Sequence, residues 1–340
     1  MSRRLPLLLL PALALAFVAN LFVGTVQIDA STVFNILCGR GASGPESYIV
    51  LNSRLPAALT ALLGGGALAV AGLMMQTTFR NPLAGPSIMG ITSGASVGVA
   101  LVTLLLGGTL TASGLRIGGE MAVMAGALAG SLLVMAVIIF LSTILKNDLM
   151  LLIAGIMIGY LASSFITLLN FSASSEGVHS YVMWGMGSFR NVSMERIVPF
   201  AAMVGVGMVM AVCLIKPLDL LLLGDDYARS LGVNVPLARR VLLLSTGVLA
   251  AAATAFCGPV SFVGLAVPHI ARLLTRTDTH RRLLPATFVC GCVVALLCNV
   301  VCALPSVLWP SAVSAGLLPL NAVTPLFGVP VILFILLRRK

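Results

Sequence analysis

Charge is what this sequence has least of. Only 9% of its 340 residues are Asp, Glu, Lys or Arg, against about 25% in a soluble globular domain. A water-facing surface cannot be assembled from so little. Acids number 10 against 20 Lys and Arg. Asp29, Glu46, Asp148, Asp219, Asp225, Asp226 and Asp278 all fall at segment boundaries or in loops. Proton- and sodium-coupled carriers place an acid within a helix, so this distribution counts against them. No nucleophile is paired with a base, which counts against a membrane hydrolase. No strand–loop–helix of the GxxxxGK type is present, so ATP-driven work would need a nucleotide-binding partner chain. The seven cysteines are an odd number and lie mostly inside apolar runs, which argues against a disulfide scaffold.

What is abundant is apolar sequence, 59% of residues, in continuous runs rather than period-two alternation. Lipid-spanning helices need about 20 such residues, and backbone groups in hydrocarbon must be satisfied internally. The fold class expected is therefore all-α: a polytopic membrane protein with about ten transmembrane helices, some short and broken. The spans are placed near 5–26, 55–75, 88–107, 120–141, 149–171, 198–216, 241–256, 260–274, 284–303 and 322–337. The first resembles a secretory signal but lacks a small-residue cleavage pattern and is long enough to span. The seventh and eighth are expected to be two short helices joined through Gly258-Pro259. Ten spans with the N-terminus inside put fifteen of the 20 basic residues on the cytoplasmic side, from Arg3 and Arg4 to Arg338, Arg339 and Lys340. Only Arg40, Arg54, Arg116, Arg190 and Arg196 remain outside, as the positive-inside rule requires. The net charge of +10 thus reads as topology rather than nucleic-acid binding. The whole chain, 1–340, reads as one transmembrane domain with both termini cytoplasmic.

Small residues recur every four positions. Gly90, Gly94 and Gly98 form one face, and Gly126 with Gly130 and Gly155 with Gly159 form others, as close helix–helix seams require. Three segments carry functional signals. Gln76 to Pro86, containing Arg80, Asn81 and Pro82, is a rigid polar turn at a membrane boundary; it is either a plain connection or a hinge near a gate. Residues 217–240 form a cytoplasmic segment whose amphipathic stretch holds Leu223, Gly224, Asp225, Asp226, Ala228, Arg229, Leu231 and Gly232. Its two acids suit the start of a short helix that ends at Gly232. Gly258, Pro259, Pro268 and His269 lie in a broken apolar segment of the kind that marks transporter pathways. His269 is either a packed, hydrogen-bonded side chain or a ligand or relay. His179 and His280 give it no metal-ligand spacing. Cys290, Cys292, Cys298 and Cys302 read as small apolar packing residues before soft-metal ligands, and no metal site is expected.

These residues carry a resemblance covering nearly the whole chain. Arg54-Leu55-Pro56, Gly65-Gly66-Ala67-Leu68-Ala69, Arg80-Asn81-Pro82-Leu83-Ala84, Trp184 with Gly187-Ser188, Leu231-Gly232-Val233, Gly258-Pro259 and Pro268-His269 occur in family order. The chain resembles the FecCD-like permease subunits of ATP-binding-cassette importers for iron–siderophore complexes, haem and cobalamin. The resemblance implies a ten-helix permease, not itself an enzyme, paired with a second copy as a homodimer around a central path. It further implies two cytoplasmic ATPase subunits, carrying ATP and Mg, docked on the coupling segment, and an extracytoplasmic substrate-binding protein. No cofactor is expected on this chain. Gln76, Gly90, Gly94, Met157, Ser163, Ser164 and Trp184 are taken as hinge or pathway candidates beside Arg80, Asn81, Pro82 and the broken segment.

The chain also departs from the family pattern. Ala57 stands for an arginine, Asn299 for an aspartate, Ala303 for an arginine, and Leu317 and Asn321 for a glutamate and a glycine. Arg54 is thereby expected to carry more of the binding-protein docking. The charge losses give haem a slight preference among the three cargo classes, with His179 a minor candidate for touching its iron. An ion-coupled secondary transporter of a small solute is the alternative function, and a membrane scaffold without transport a third.

Overall fold

The computed structural model describes residues 5–40, 44–112, 115–145, 147–308 and 317–338. Arg3, Arg4, Lys146, Arg339 and Lys340, which enter the charge count, lie outside the described residues.

The first half of the chain forms α1 (Leu5–Phe22), α2 (Ala30–Leu37), α3 (Pro45–Ile49), α4 (Leu55–Thr78), α5 (Ile91–Ala100), strands β1 (Thr109–Ala112) and β2 (Leu115–Gly118), α6 (Glu120–Ile144) and α7 (Asp148–Ser172). The second half forms α8 (Ser175–Gly185), α9 (Met194–Cys213), α10 (Ile215–Leu221), α11 (Asp225–Ser230), α12 (Val235–Cys257), α13 (Val263–Thr275), α14 (His280–Leu308) and α15 (Leu320–Arg338). Wide π-helical turns at Val50–Arg54 and Leu101–Leu105 lead into α4 and extend α5. The protein is an all-α polytopic membrane protein, apart from the antiparallel β1–β2 hairpin. Among the described residues, six helical stretches are long and apolar enough to cross a bilayer, and four shorter apolar ones accompany them: Leu9–Phe22, Ile91–Leu105, Val263–Thr275 and Leu320–Phe334.

The expected pair of short helices around Gly258 is half right. Helix α13 has 13 residues, but α12 has 23. It begins at Val235 because Asn234 caps it, accepting from Leu237 N at 3.1 Å. Arg239 and Arg240 therefore ride on its first turns, and the cytoplasmic segment expected over 217–240 runs into α12. Nor do the apolar runs announce α2 and α3, the hairpin, or α8, which fill three segments expected to be loops.

Close packing decides which helices meet, since lipid supplies no hydrophobic drive between them. Helix α4 is the buried centre, with 20 of its 24 residues buried. At Gly65 and Gly72 it lies against the backbone of Gly291 in α14 and Gly264 in α13. Gly94 and Gly98 of α5 face Gly130 and Gly126 of α6, while Gly90 abuts Gly155 of α7. In each seam a Cβ would collide with the partner's backbone. Between α1 and α14, Asn299 Nδ2 donates to Asn20 Oδ1 at 2.7 Å, and Asn20 Nδ2 donates to Leu296 O at 3.0 Å.

Side-chain bonds sort the helix boundaries into two ends. At one end the last turn of α4 joins the starts of α14, α11, α12 and α7 through the pairs Thr77–His280, Arg80–Asp225, Arg239–Asp225 and Arg239–Asp148. At the other, the starts of α6 and α9 join through Glu120–Arg196, and the end of α8, the α12–α13 break and the start of α15 join through Asn321. The first is called the α11 end below and the second the hairpin end.

Candidate functional site

At the α11 end, Gly224 (φ 115°) and Gly232 (φ 85°) bracket α11. Both adopt a backbone that L side chains resist, so the short helix is turned sharply at each limit. Ala228 is its buried anchor, while Leu223, Tyr227 and Leu231 are exposed. A helix of six residues does not hold itself in place. Asp225 fixes it. One carboxylate oxygen pairs with Arg80 and the other with Arg239 at 2.7 Å. Arg239 also holds Asp148, at the start of α7, at 2.8 Å. The quartet Arg80, Asp225, Arg239 and Asp148 alternates in sign and joins four elements. The sequence places Asp225 in the coupling segment, as a helix-dipole partner, and does not single out Arg239 or Asp148.

Arg80 sits in a turn that is held from behind. Its φ is 46°, a left-handed backbone that residues other than glycine rarely adopt. Asn81 Oδ1 accepts from Leu83 N at 2.9 Å. His269 Nε2 of α13 donates to the Pro82 carbonyl at 2.8 Å, and the side chain is buried. Gln76, also buried, donates to Leu265 O at 3.0 Å and accepts from Arg272 at 2.6 Å, two further links to α13. The expected hinge residues Gln76, Arg80, Asn81 and Pro82 thus converge with Pro268-His269 of the broken segment. A second knot, unexpected from sequence, has buried His280 bonded to Asp219 at 2.7 Å through Nδ1 and to Thr77 at 2.9 Å through Nε2.

The hairpin end carries a cavity of about 790 Å³. Trp184, Met183, Met186 and Phe256 form apolar wall, Cys257-Gly258 another part, and Glu120, Glu176 and Arg196 polar edge. Trp184 and Gly258 come together, since the Trp184 carbonyl lies where a Gly258 Cβ would go. Gly187 approaches the Pro259 carbonyl in the same way. Arg190, in the loop after α8, has a buried Nε without a hydrogen-bond partner, and burial pulls its guanidinium pKa below the ordinary arginine value.

Three expectations change here. Arg54 does not face outward for docking. It is 3% exposed, and its guanidinium donates to the carbonyls of Leu21, Phe22 and Val26, which closes the C-terminal end of α1. Asn299 and Ala303 are buried in the bundle, so their lost charges do not alter the hairpin-end surface. Gly94 is buried in the α5–α6 seam rather than along a path, and Gly90 packs on α7. Met157, Ser163 and Ser164 do lie exposed, on α7. The cysteines of α14 are free and buried, and among the described residues no cluster of three His, Cys, Asp or Glu could hold a metal.

Comparison with known proteins agrees with this arrangement. Residues 12–338 match the FecCD transport family. The vitamin B12 import system permease protein BtuC of Salmonella typhi is 34% identical over 300 residues, covering 88% of this chain and 87% of that protein. Its counterpart from Salmonella newport is 33% identical over the same share. A solved metal-chelate type ABC transporter in an inward-facing conformation superposes with a TM-score of 0.81 at 28% identity, covering 98% of both chains. PsaBC from Streptococcus pneumoniae shares the fold at a TM-score of 0.54 and 16% identity. The chain belongs to the FecCD transport family and is the membrane permease of an ABC importer.

Proposed function

We propose that this permease imports a bulky metal chelate, with cobalamin first among the candidates, and that it works as a homodimer with two ATPase subunits and an extracytoplasmic binding protein. The observation that carries the coupled mechanism is α11. It is a short helix with exposed Leu223, Tyr227 and Leu231, locked through Asp225 to the Arg80 turn and to α12. A partner pressing on those apolar side chains moves Asp225, and with it the Arg80 turn.

The six long and four shorter apolar helices among the described residues agree in number with ten passes. Arg80, Lys216, Arg229, Arg239, Arg240, Arg272, Arg276, Arg281 and Arg282 all gather at the α11 end. The positive-inside rule therefore makes that end cytoplasmic, with both termini. Helix α7 leaves Ile153, Met157, Tyr160, Leu161 and Leu168 uncovered along its length, a face suited to a second copy or to the path between copies.

The vitamin B12 permeases, at 33–34% identity across most of the chain, support cobalamin. The preference for haem loses its basis, because it rests on charge lost from the hairpin-end surface and two of those positions are buried. ATP-dependent uptake into proteoliposomes holding the complex with its binding protein tests the proposal. Cobalamin, haem and a ferric siderophore are compared side by side. Cobalamin uptake with the other two excluded is expected; uptake of haem or the siderophore alone overturns the assignment of cargo.

A further inference from the structure

Asn321 stands where the family pattern has a glycine, and it does what glycine cannot. It lies at the start of α15 with its amide among three interrupted segments. Nδ2 donates to Gly185 O at 3.0 Å, at the last residue of α8, and to Pro259 O at 2.8 Å, in the α12–α13 break. Oδ1 accepts from Ser261 N at 3.0 Å in the same break. The backbone adds Asn321 N to Met186 O at 3.1 Å. These partners are groups that helix ends leave unsatisfied. The segments they belong to are held in strained or glycine-only conformations, with φ of 70° at Gly187, 73° at Gly258 and 65° at Phe262. A non-glycine residue such as Phe262 persists there only if its surroundings hold it.

The same segments wall the 790 Å³ cavity, which Met186, Gly187, Gly258 and Pro319 all line. Elsewhere the helices meet through interlocked glycine backbones that cannot part without losing dense packing. Here the close approaches of Gly187 to Pro259 and of Gly258 to Trp184 join α8 to the break, and the start of α15 is tied to both by backbone bonds and by three hydrogen bonds from one side chain, which water can replace when the mouth opens. We propose that Asn321 is a positioning residue for transport, the latch that holds the hairpin-end mouth closed between α8, the 258–262 break and α15. The inference rests on the importer reading, since a latch matters only where cargo must pass.

The test uses the permease assembled with its ATPase subunits in proteoliposomes, in a background with Cys38→Ser and Cys213→Ser, the two exposed cysteines. Cys257 lines the cavity at 2% exposure, and its carbonyl accepts from Ser188 N at 2.8 Å, so it reports on the mouth. Its labelling by a water-soluble maleimide is followed by peptide mass spectrometry. Asn321→Gly removes the whole amide. Asn321→Asp keeps the size and the acceptor for Ser261 N but replaces both donors by a charge facing two carbonyls. Both variants are expected to label Cys257 at least about tenfold faster without ATP, and the ratio of rates with and without ATP is expected to fall toward one. Loss of packing alone would raise both rates and leave the ratio in place. Labelling within about twofold of the parent in Asn321→Gly overturns the latch; if that variant does not assemble, Asn321→Asp decides by the same criterion. The assay needs no cargo, so failed cobalamin uptake with faster labelling rejects the cargo and keeps the latch.

Discussion

Asp225→Asn is the perturbation that most directly tests how α11 is held. The carboxylate faces two guanidiniums, Arg239 at 2.7 Å and Arg80, and the side chains are 22–47% exposed. At such a separation the bare attraction with an effective dielectric near 20 is about 6 kcal/mol per pair. Desolvation and solvent screening reduce that to about 0.2–1 kcal/mol for a partly exposed pair, with some gain from the network. Losing both pairs should therefore cost about 1–2 kcal/mol in the attachment of α11. Arg239 keeps Asp148, so α12 and α7 stay joined. Arg80 loses its ion partner while its φ of 46° remains, and the turn should relax. The assay is paired: association of the ATPase subunits by co-purification, and cargo transported per ATP hydrolysed. Association is expected to survive, because the exposed leucines and Tyr227 are untouched, and transport per ATP to fall about three- to tenfold. A double-mutant cycle of Asp225→Asn with Arg239→Gln on that ratio should return about 1 kcal/mol of coupling. A coupling energy within about 0.3 kcal/mol of zero would show the two sites to be independent and refute the quartet.

Gly72→Ala places a Cβ on the Gly264 carbonyl of α13; it should lower the melting temperature in detergent, with a cost above about 2 kcal/mol, and an unchanged melt would contradict the seam. Asn20→Leu leaves the Asn299 amide buried without its acceptor, so thermal unfolding should show a loss of about 1–2 kcal/mol, and adding Asn299→Leu should cost less than the sum. Gly232→Val meets no neighbour but forces a β-branched residue to φ 85°; about 1–2 kcal/mol of local strain should weaken ATPase-subunit co-purification while the permease still elutes at its parent position as a folded protein, and unchanged co-purification counts against it.

What the sequence discloses follows from which forces are local. Apolar runs set the helices, and the spans near 120–141 and 149–171 fall inside α6 and α7. Gly232 is legible as a turn because a left-handed backbone leaves a residue signature. Four-residue glycine spacing yields a face but not its partner. Gly94 and Gly98 meet α6 whereas Gly90 meets α7, a choice made by the tertiary path. Polar residues at span edges are the hardest to place. Arg54 looks like a surface cation, yet its reach brings it onto the carbonyls at the end of α1, 28–33 residues away in sequence. Asp219 and His280, 61 residues apart, and Asn321 and Pro259, 62 apart, leave no local trace of their bonds.

Helix α13 connects the two ends. Just before its first turn, the Ser261 amide is fixed by Asn321, which also holds α8. Further along, Leu265 accepts from Gln76, His269 grips the Pro82 carbonyl, and Arg272 reaches back to Gln76. That turn in turn carries Arg80, and Arg80 pairs with Asp225 of α11. A thirteen-residue helix is about 20 Å long and stiff at that length. It is packed against α4 through Gly264 and Gly72, and Pro268 lies in its interior. Contiguity alone does not establish coupling. What makes it mechanically suitable is that its first turn is held by backbone contact at Gly264, which water cannot replace, while its middle and last turn are held by the polar bonds of His269 and Arg272. Motion imposed on α11 then has a defined route to the mouth: through Asp225 to the Arg80 turn, through Pro82 and Gln76 to α13, and through Ser261 to Asn321.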